Sequence, residues 1–362
     1  MGLGTSLIGQ QDSSSIAQGW SFNVSAPNFG FIVPHTKQMT HLIQGHSFGL
    51  HTSAFKKMTG KKYWHQAYNF PESGIDFTYI NTGNASQLGN QYALTYFLNL
   101  PLNRRQVKHE SDKFYKNWLG LGVGLGYATR IWDLRENHQA PAIGSHANIA
   151  LNVQYSARLI QFESSEVRAG LRITHLSNGA FKIPNLGTNN AGIFLSYVYH
   201  NKKQLANNVD AAKQDYAPDR TSVFLGAGLK EVQPPGGNKH IAFTLSLLQE
   251  KRISYKSSFG LGADVFYNSS IKAIRERKEQ RAIEPNDVVQ IGAVFSYTLH
   301  FDQFEFKMQQ GIYIRDKYKL DGMFYNRFGL RYRINSNWFA QLTLKTHFAK
   351  ADFGEWGFGY AF

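Results

Sequence analysis

A histidine and a serine two positions apart, His175 and Ser177, stand near the end of a segment that alternates apolar and polar residues. In an extended strand such a pair projects to one side, with the two residues separated by about 6.6 Å. A serine hydroxyl becomes a nucleophile when a base lies within hydrogen-bond reach, a third group orients that base, and donors wait for the oxyanion. His175 and Ser177 offer the base and the nucleophile. Asn178 and Asn185 flank a turn rich in Gly and Pro and offer amide donors. The same residues have plainer uses, since polar side chains are common at strand ends and Asn178-Gly179 is an ordinary turn signal. Spacing by itself leaves both uses open.

The element that carries the pair reads as a strand. Val167, Ala169, Leu171 and Ile173 fall on one face, with Arg168, Gly170, Arg172 and Thr174 on the other. The pattern recurs. Ile149, Leu151, Val153 and Tyr155 alternate with Asn148, Asn152, Gln154 and Ser156; Phe324, Phe328, Leu330 and Tyr332 alternate with Arg327, Arg331 and Arg333. Period-two segments of this length suit strands that cross a bilayer, and no apolar run of about 18 residues offers a helical span. A water-soluble barrel would turn the apolar set inward and a membrane barrel would turn it outward, and alternation alone does not choose.

Loop lengths and the C-terminus do choose. The chain closes on Glu355-Trp-Gly-Phe-Gly-Tyr-Ala-Phe362, an alternating aromatic strand ending in Phe. This resembles the signal read by the outer-membrane barrel assembly machinery, and it puts the last strand's end in the periplasm. Counted backward, connections should alternate between short periplasmic turns and longer external loops. Short ones fall at 335–337, 301–303, 249–253 and 162–165, and longer ones at 349–352, 315–322, 268–287, 179–190 and 132–145. Two break the rule: a compact external turn at 234–237 and a long periplasmic stretch at 201–219. The expectation is an all-β, closed antiparallel transmembrane β-barrel of about 14 strands (range 12–16), forming a single domain over 19–362 after a signal remnant or flexible N-terminus at 1–18. His175 and Ser177 then continue the lipid-facing side of a strand near its outer end, where polar groups are costly.

Composition agrees. The mean hydropathy of −0.37 is low, yet 14% of residues are aromatic, as expected if half of each strand faces a polar lumen. With no cysteine, disulfides, thiol nucleophiles and thiolate metal sites are excluded. The net charge of +14 calls for anionic partners. Lys and Arg are spread along the chain rather than gathered in one patch, which argues against nucleic acid and for lipid phosphates. The Gly120–Gly126 run has glycine at every second position, which makes a strand with a small-residue lumen face and not a dinucleotide loop. The basic run 272–281, diluted by Glu276 and Glu279, reads as a solvated external loop. His46, His51, His65, His138 and His146 lack tight metal-ligand spacing, so neither metal nor cofactor is expected. Arg172, Arg327 and Arg331 are expected to pair with acids in the lumen.

At the His175–Ser177 segment a resemblance enters. His175-Leu-Ser-Asn178, followed by Pro184-Asn-Leu-Gly187, is similar to the active-site segment of outer-membrane lipid A 3-O-deacylases and of the larger barrels called acyloxyacyl hydrolases. A looser likeness runs from about Lys61 to Tyr199. The resemblance implies Ser177 as nucleophile toward an acyl ester of lipid A, His175 as its general base, and Asn178 and Asn185 at the oxyanion. Family members place a glutamate fourteen residues after the histidine to orient it; here that position is Asn189. An amide can hold an imidazole but does not stabilise the imidazolium by charge. A substitute acid could come from the preceding external loop, where Asp133 and Glu136 lie beside Asn137 and His138.

Three readings follow. The first is a serine esterase of the bacterial outer membrane, cofactor-free, acting on lipid A of the lipopolysaccharide in the outer leaflet. The second is a catalytically impaired barrel of the same descent serving as an accessory subunit beside other outer-membrane proteins. The third, a passive porin, requires an open lumen, which bulky Phe194 and Tyr325 on the lumen face oppose.

Overall fold

The computed structural model describes residues 19–102, 117–201, 218–279, 282–348 and 350–362. The expected N-terminal remnant and most of the 201–219 connection lie outside the described residues. Sixteen strands are found among those described. The first eight are β1 (Ser21–Ile32), β2 (Ser47–Lys57), β3 (Glu72–Asn81), β4 (Asn90–Pro101), β5 (Asn117–Ala128), β6 (Ala147–Gln161), β7 (Ser165–Ser177) and β8 (Thr188–His200). The second eight are β9 (Arg220–Glu231), β10 (Lys239–Arg252), β11 (Ser257–Asn268), β12 (Val289–Phe301), β13 (Phe304–Arg315), β14 (Phe324–Arg333), β15 (Trp338–His347) and β16 (Lys350–Ala361).

They close as two antiparallel barrels of eight strands, where one barrel of about 14 was expected. β1 returns to β8, with Ser21 opposite His200 and Ile32 opposite Asn190; β9 returns to β16, with Ser222 opposite Ala361. The reason for the miss is physical. Alternation fixes which face of a strand is apolar, but closure depends on which distant edge a strand meets and in what register, and no periodicity records that. The connection at 201–219, an exception to the loop rule, is where one barrel ends and the next begins. Most other expected connections hold, with three shifts. The β10–β11 turn lies at 253–256, because Lys251 and Arg252 extend β10; the loop expected at 179–190 ends before Thr188; and the longer loop expected at 349–352 shrinks to 348–349, because β16 starts at Lys350.

The walls decide the environment. Leu125, Leu225 and Trp356 are 73%, 62% and 65% exposed on the outside, while Arg327 and Lys345 are fully buried inside. Apolar-out and charge-in is the inverse of a soluble barrel, and so much exposed apolar wall suits lipid. Eight strands leave an interior just wide enough for side chains to fill. In the first barrel Arg168 is bound bidentately by Glu72 at 2.8 Å, and Arg172 sits on Asp76 and Thr78. In the second, Arg327 joins Asp264 at 3.0 Å to Glu355, and Glu250 holds Lys307 at 2.7 Å and Arg331 at 3.1 Å. The lumen arginines pair as expected. Phe194 packs edge-on against His51, and the Tyr325 hydroxyl donates to Asp264, so both bulky residues occupy the lumens as expected, which opposes an open pore.

At the rim away from the C-terminus, a buried cluster including Met39, Leu42, Leu88, Ala142, Ile143 and Leu176 stoppers the first barrel. The basic run 272–281 is not a loop as expected: α2 (Ser269–Glu279) forms there, with Lys272–Glu276 and Arg275–Glu279 pairs at helical spacing. The barrels touch at both rims. Near the C-terminus the segment around α1 (Tyr63–Ala67) meets the turns of the second barrel, Tyr63 edge-on to Tyr255 and Tyr68 stacked on Phe301. At the opposite rim the Glu231 amide donates to the Ala180 carbonyl at 3.1 Å.

Candidate active site

His175 and Ser177 end β7 on its outward face, continuing Leu171 and Ile173, both exposed. Across β6 they stand opposite Leu151 and Ile149, which also face outward. A half-buried polar pair thus interrupts an apolar wall.

The other face of the arrangement comes from β8. That strand begins at Thr188, so Asn189 lies in the ladder and not in the loop, directly opposite His175. Directly opposed side chains in an antiparallel pair are close enough to bond. His175 Nδ1 lies 2.7 Å from Asn189 Oδ1. Because the carbonyl oxygen only accepts, Nδ1 carries the proton and Nε2 is left as the basic nitrogen.

The connecting loop, 178–187, serves Ser177. The Asn185 side-chain amide donates to Ser177 Oγ at 2.9 Å, and the Gly179 N–H donates to it at 3.3 Å. The Asn178 backbone N–H donates to Asn185 Oδ1 at 3.1 Å, which turns the Asn185 amino group toward Ser177. The Asn178 side chain is committed elsewhere: it donates to Ser145 Oγ and the Lys182 carbonyl and accepts from the Lys182 N–H. Of the two asparagines read as oxyanion donors, therefore, only Asn185 presents its side chain to the serine; Asn178 organises the loop.

Gly187 closes the loop for two reasons. Its φ is +79°, and a Cβ there would lie 2.7 Å from His175 Cε1. Its N–H is anchored to the Ala142 carbonyl at 2.7 Å, tying the loop to the 129–146 connection. The loop's other side meets the second barrel, where a Cβ on Gly179 would reach Leu344 at 3.3 Å.

Neither substitute acid reaches the histidine. Asp133 Oδ1 accepts from the amides of Arg135 and Glu136 in its own turn, which hold its carboxyl below the usual range, and Glu136 is exposed. Among the described residues no carboxylate hydrogen-bonds His175, and no direct hydrogen bond joins it to Ser177. Three contributors had no signal in the sequence: His35, whose Nδ1 lies 3.3 Å from Asn189 Nδ2, Ser145, and the Gly179 amide. All three depend on loop placement. Among the described residues one cluster has metal-like proximity, Asp321, His347 and Asp352, but Lys230, Lys345 and Lys350 already pair with its carboxylates.

Comparison with known families settles descent. Residues 49–198 match the family model of lipid A 3-O-deacylase (PagL), and residues 220–362 match that of the acyloxyacyl hydrolase C-terminal domain. The chain belongs to the lipid A 3-O-deacylase and acyloxyacyl hydrolase family. Each model falls within one barrel, and the second starts at the first residue of β9. No individually curated protein matches the chain. Solved structures that align with it include a triple mutant of the Rhodopseudomonas blastica porin (7% identity, 95% of this chain, 99% of that one, TM-score 0.18). CdiB from Acinetobacter baumannii aligns at 11% identity over 95% of this chain and 60% of that one, with a TM-score of 0.19. Scores this low carry no argument; the family and the barrels themselves place the chain among proteins of the outer-membrane type.

Proposed function

We propose that the protein is a serine esterase of the bacterial outer membrane that removes an acyl chain from lipid A in the outer leaflet. The observation that carries this reading is the placement of Ser177 Oγ under two donors, Asn185 Nδ2 and the Gly179 N–H, on the same outward face as an imidazole whose Nδ1 is held by Asn189. An ester carbonyl entering from the lipid side would meet Ser177. Oγ attacks the carbonyl carbon while His175 Nε2 takes the hydroxyl proton, and the donors now on Oγ stabilise the oxyanion. Collapse breaks the ester bond, with His175 returning the proton to the departing sugar oxygen. Water then hydrolyses the acyl-serine by the same steps. The absence of a Ser177–His175 bond at rest is compatible with this, since catalytic hydrogen bonds often tighten only with substrate bound. No step calls for a metal or cofactor.

Mass spectrometry of lipid A incubated with the detergent-solubilised protein tests the reading, with Ser177→Ala alongside. Loss of one acyl chain with wild type and none with the variant is the expected result. Unchanged lipid A in both overturns it.

One observation favours a second reading. With Asn189 in place of an acid and no carboxylate on His175, the barrel is also suited to an accessory role beside other outer-membrane proteins. That reading expects unchanged lipid A and a Ser177→Ala variant without phenotype.

A further inference from the structure

We infer that His35 is a positioning residue which fixes the orientation of the Asn189 amide and, through it, the tautomer of His175. The inference rests on the esterase reading for its functional meaning, though its structural content stands apart from it.

The β1–β8 ladder continues beyond Ile32 opposite Asn190, with the Val33 N–H donating to the Asn189 carbonyl at 2.7 Å. Two residues on, His35 is thereby carried to the far side of the Asn189 side chain from His175. Its Nδ1 lies 3.3 Å from Asn189 Nδ2, while Asn189 Oδ1 lies 2.7 Å from His175 Nδ1.

An amide has one accepting end and one donating end. With Oδ1 toward His175, the imidazole must carry its proton on Nδ1, and Nε2 is free to accept one. With the amide reversed, the amino group faces His175 Nδ1, which must then accept, and the proton moves to Nε2, the atom required as base. Amide orientation and base tautomer are therefore one variable. A carboxylate has two equivalent oxygens and no wrong end, so a site built on aspartate or glutamate needs no such device. A site built on Asn189 does. His35 supplies it when its own ring proton sits on Nε2: Nδ1 then accepts from the Asn189 amino group, would repel a reversed amide's oxygen, and leaves that oxygen for His175.

The test uses the full chain in detergent. In wild type, the ¹⁵N spectrum of the His175 ring should show a protonated Nδ1 and an unprotonated Nε2; in His35→Ala it should show a mixture of tautomers. On a lipid A ester, His35→Ala should lower kcat about three- to tenfold, the range of bias one neutral hydrogen bond supplies, with KM unchanged. His35→Asn, whose oxygen can still accept, should restore kcat. In an Asn189→Asp background, His35→Ala should change kcat less than about twofold, because the carboxylate needs no orienting. A His175 tautomer unchanged by His35→Ala, or an equal loss in the Asn189 and Asp backgrounds, overturns the inference. If the tautomer shifts but wild type cleaves no lipid A ester, the positioning role stands and the esterase reading falls.

Discussion

His175 and Asn189 face each other directly across the β7–β8 ladder, with Nδ1 and Oδ1 2.7 Å apart. In the proposed reaction the bond orients the imidazole but brings no charge to the imidazolium that would form when Ser177 gives up its proton. Asn189→Asp keeps the shape and adds the charge. It should raise kcat by at least tenfold, against a ceiling of about four decades set by the reverse change in a serine protease. Asn189→Leu, which removes the orienting oxygen, should lower it. Ester hydrolysis assayed with matched enzyme concentrations checks both; no gain in the aspartate variant would mean that imidazolium stabilisation is not limiting.

Asn185 and Asn178 are neighbours in the same loop with separable duties. Asn185 points its amino group at Ser177 Oγ, so Asn185→Leu should reduce kcat by about 10²–10³, the loss typical of one oxyanion donor, with little change in thermal stability. Asn178 spends its side chain on Ser145 and Lys182. Asn178→Ala should loosen the loop and be detected first as faster proteolysis between 178 and 187. Equal kinetic effects without any change in loop protection would contradict this division.

Gly187 combines a left-handed backbone with contact against the histidine, and Gly236 provides the control. Gly236 has φ +82° and open space around its missing Cβ, whereas a Cβ on Gly187 would press on His175 Cε1 at 2.7 Å. Both alanine variants should pay backbone strain of about 1–2 kcal/mol. Only Gly187→Ala should also depress kcat, by displacing the imidazole. Parallel melting curves and hydrolysis rates separate strain from displacement.

The fold was legible where its cause is local. Alternation located the strands that carry Arg172, Arg327 and His175, because period two is written residue by residue, and loop lengths with the C-terminal strand then put the arginines inside. The His175–Ser177 pair stood out for the same reason, as polar residues on an apolar face. What was not legible is non-local. The strand at 188–200 begins early enough to set Asn189 against His175, and β1 returns to β8 instead of joining a larger sheet. Both facts are matters of register, and the approach of His35 to Asn189 follows from the second. The helix at 269–279 was misread because its charge looked like solvation, although Lys272–Glu276 and Arg275–Glu279 already had helical spacing.

Arg327 is fully buried between Glu355 and Asp264 in the second lumen. Arg327→Met preserves bulk but leaves two carboxylates without their cation in a space closed to water. Breaking a buried pair in this way typically costs about 3–5 kcal/mol. The exposed pair Lys317–Asp287 should contribute less than about 1 kcal/mol. The temperature at which the heat-modifiable gel band converts should fall clearly for Arg327→Met and hardly for Lys317→Ala. Comparable shifts would mean that the lumen network does not hold the second barrel closed.

His65 offers a pH test of the seam between barrels. It lies in α1 at the C-terminal rim, where burial first and the charge of Lys62 second push its pKa down to about 4 from the ordinary 6.5, Asp302 opposing. The folded protein therefore holds His65 neutral at a pH where the unfolded chain would protonate it. The sign follows: this contribution to stability is complete above pH 6.5 and is lost as pH falls toward 4. Because Tyr63 and Tyr68 on either side of His65 pack against Tyr255 and Phe301, the loss should be felt where the two barrels meet. The wild-type melting temperature is expected to decline over that window, and the decline should be shallower in His65→Gln, which has no proton to gain. Parallel declines in the two proteins would assign the acid sensitivity to other groups.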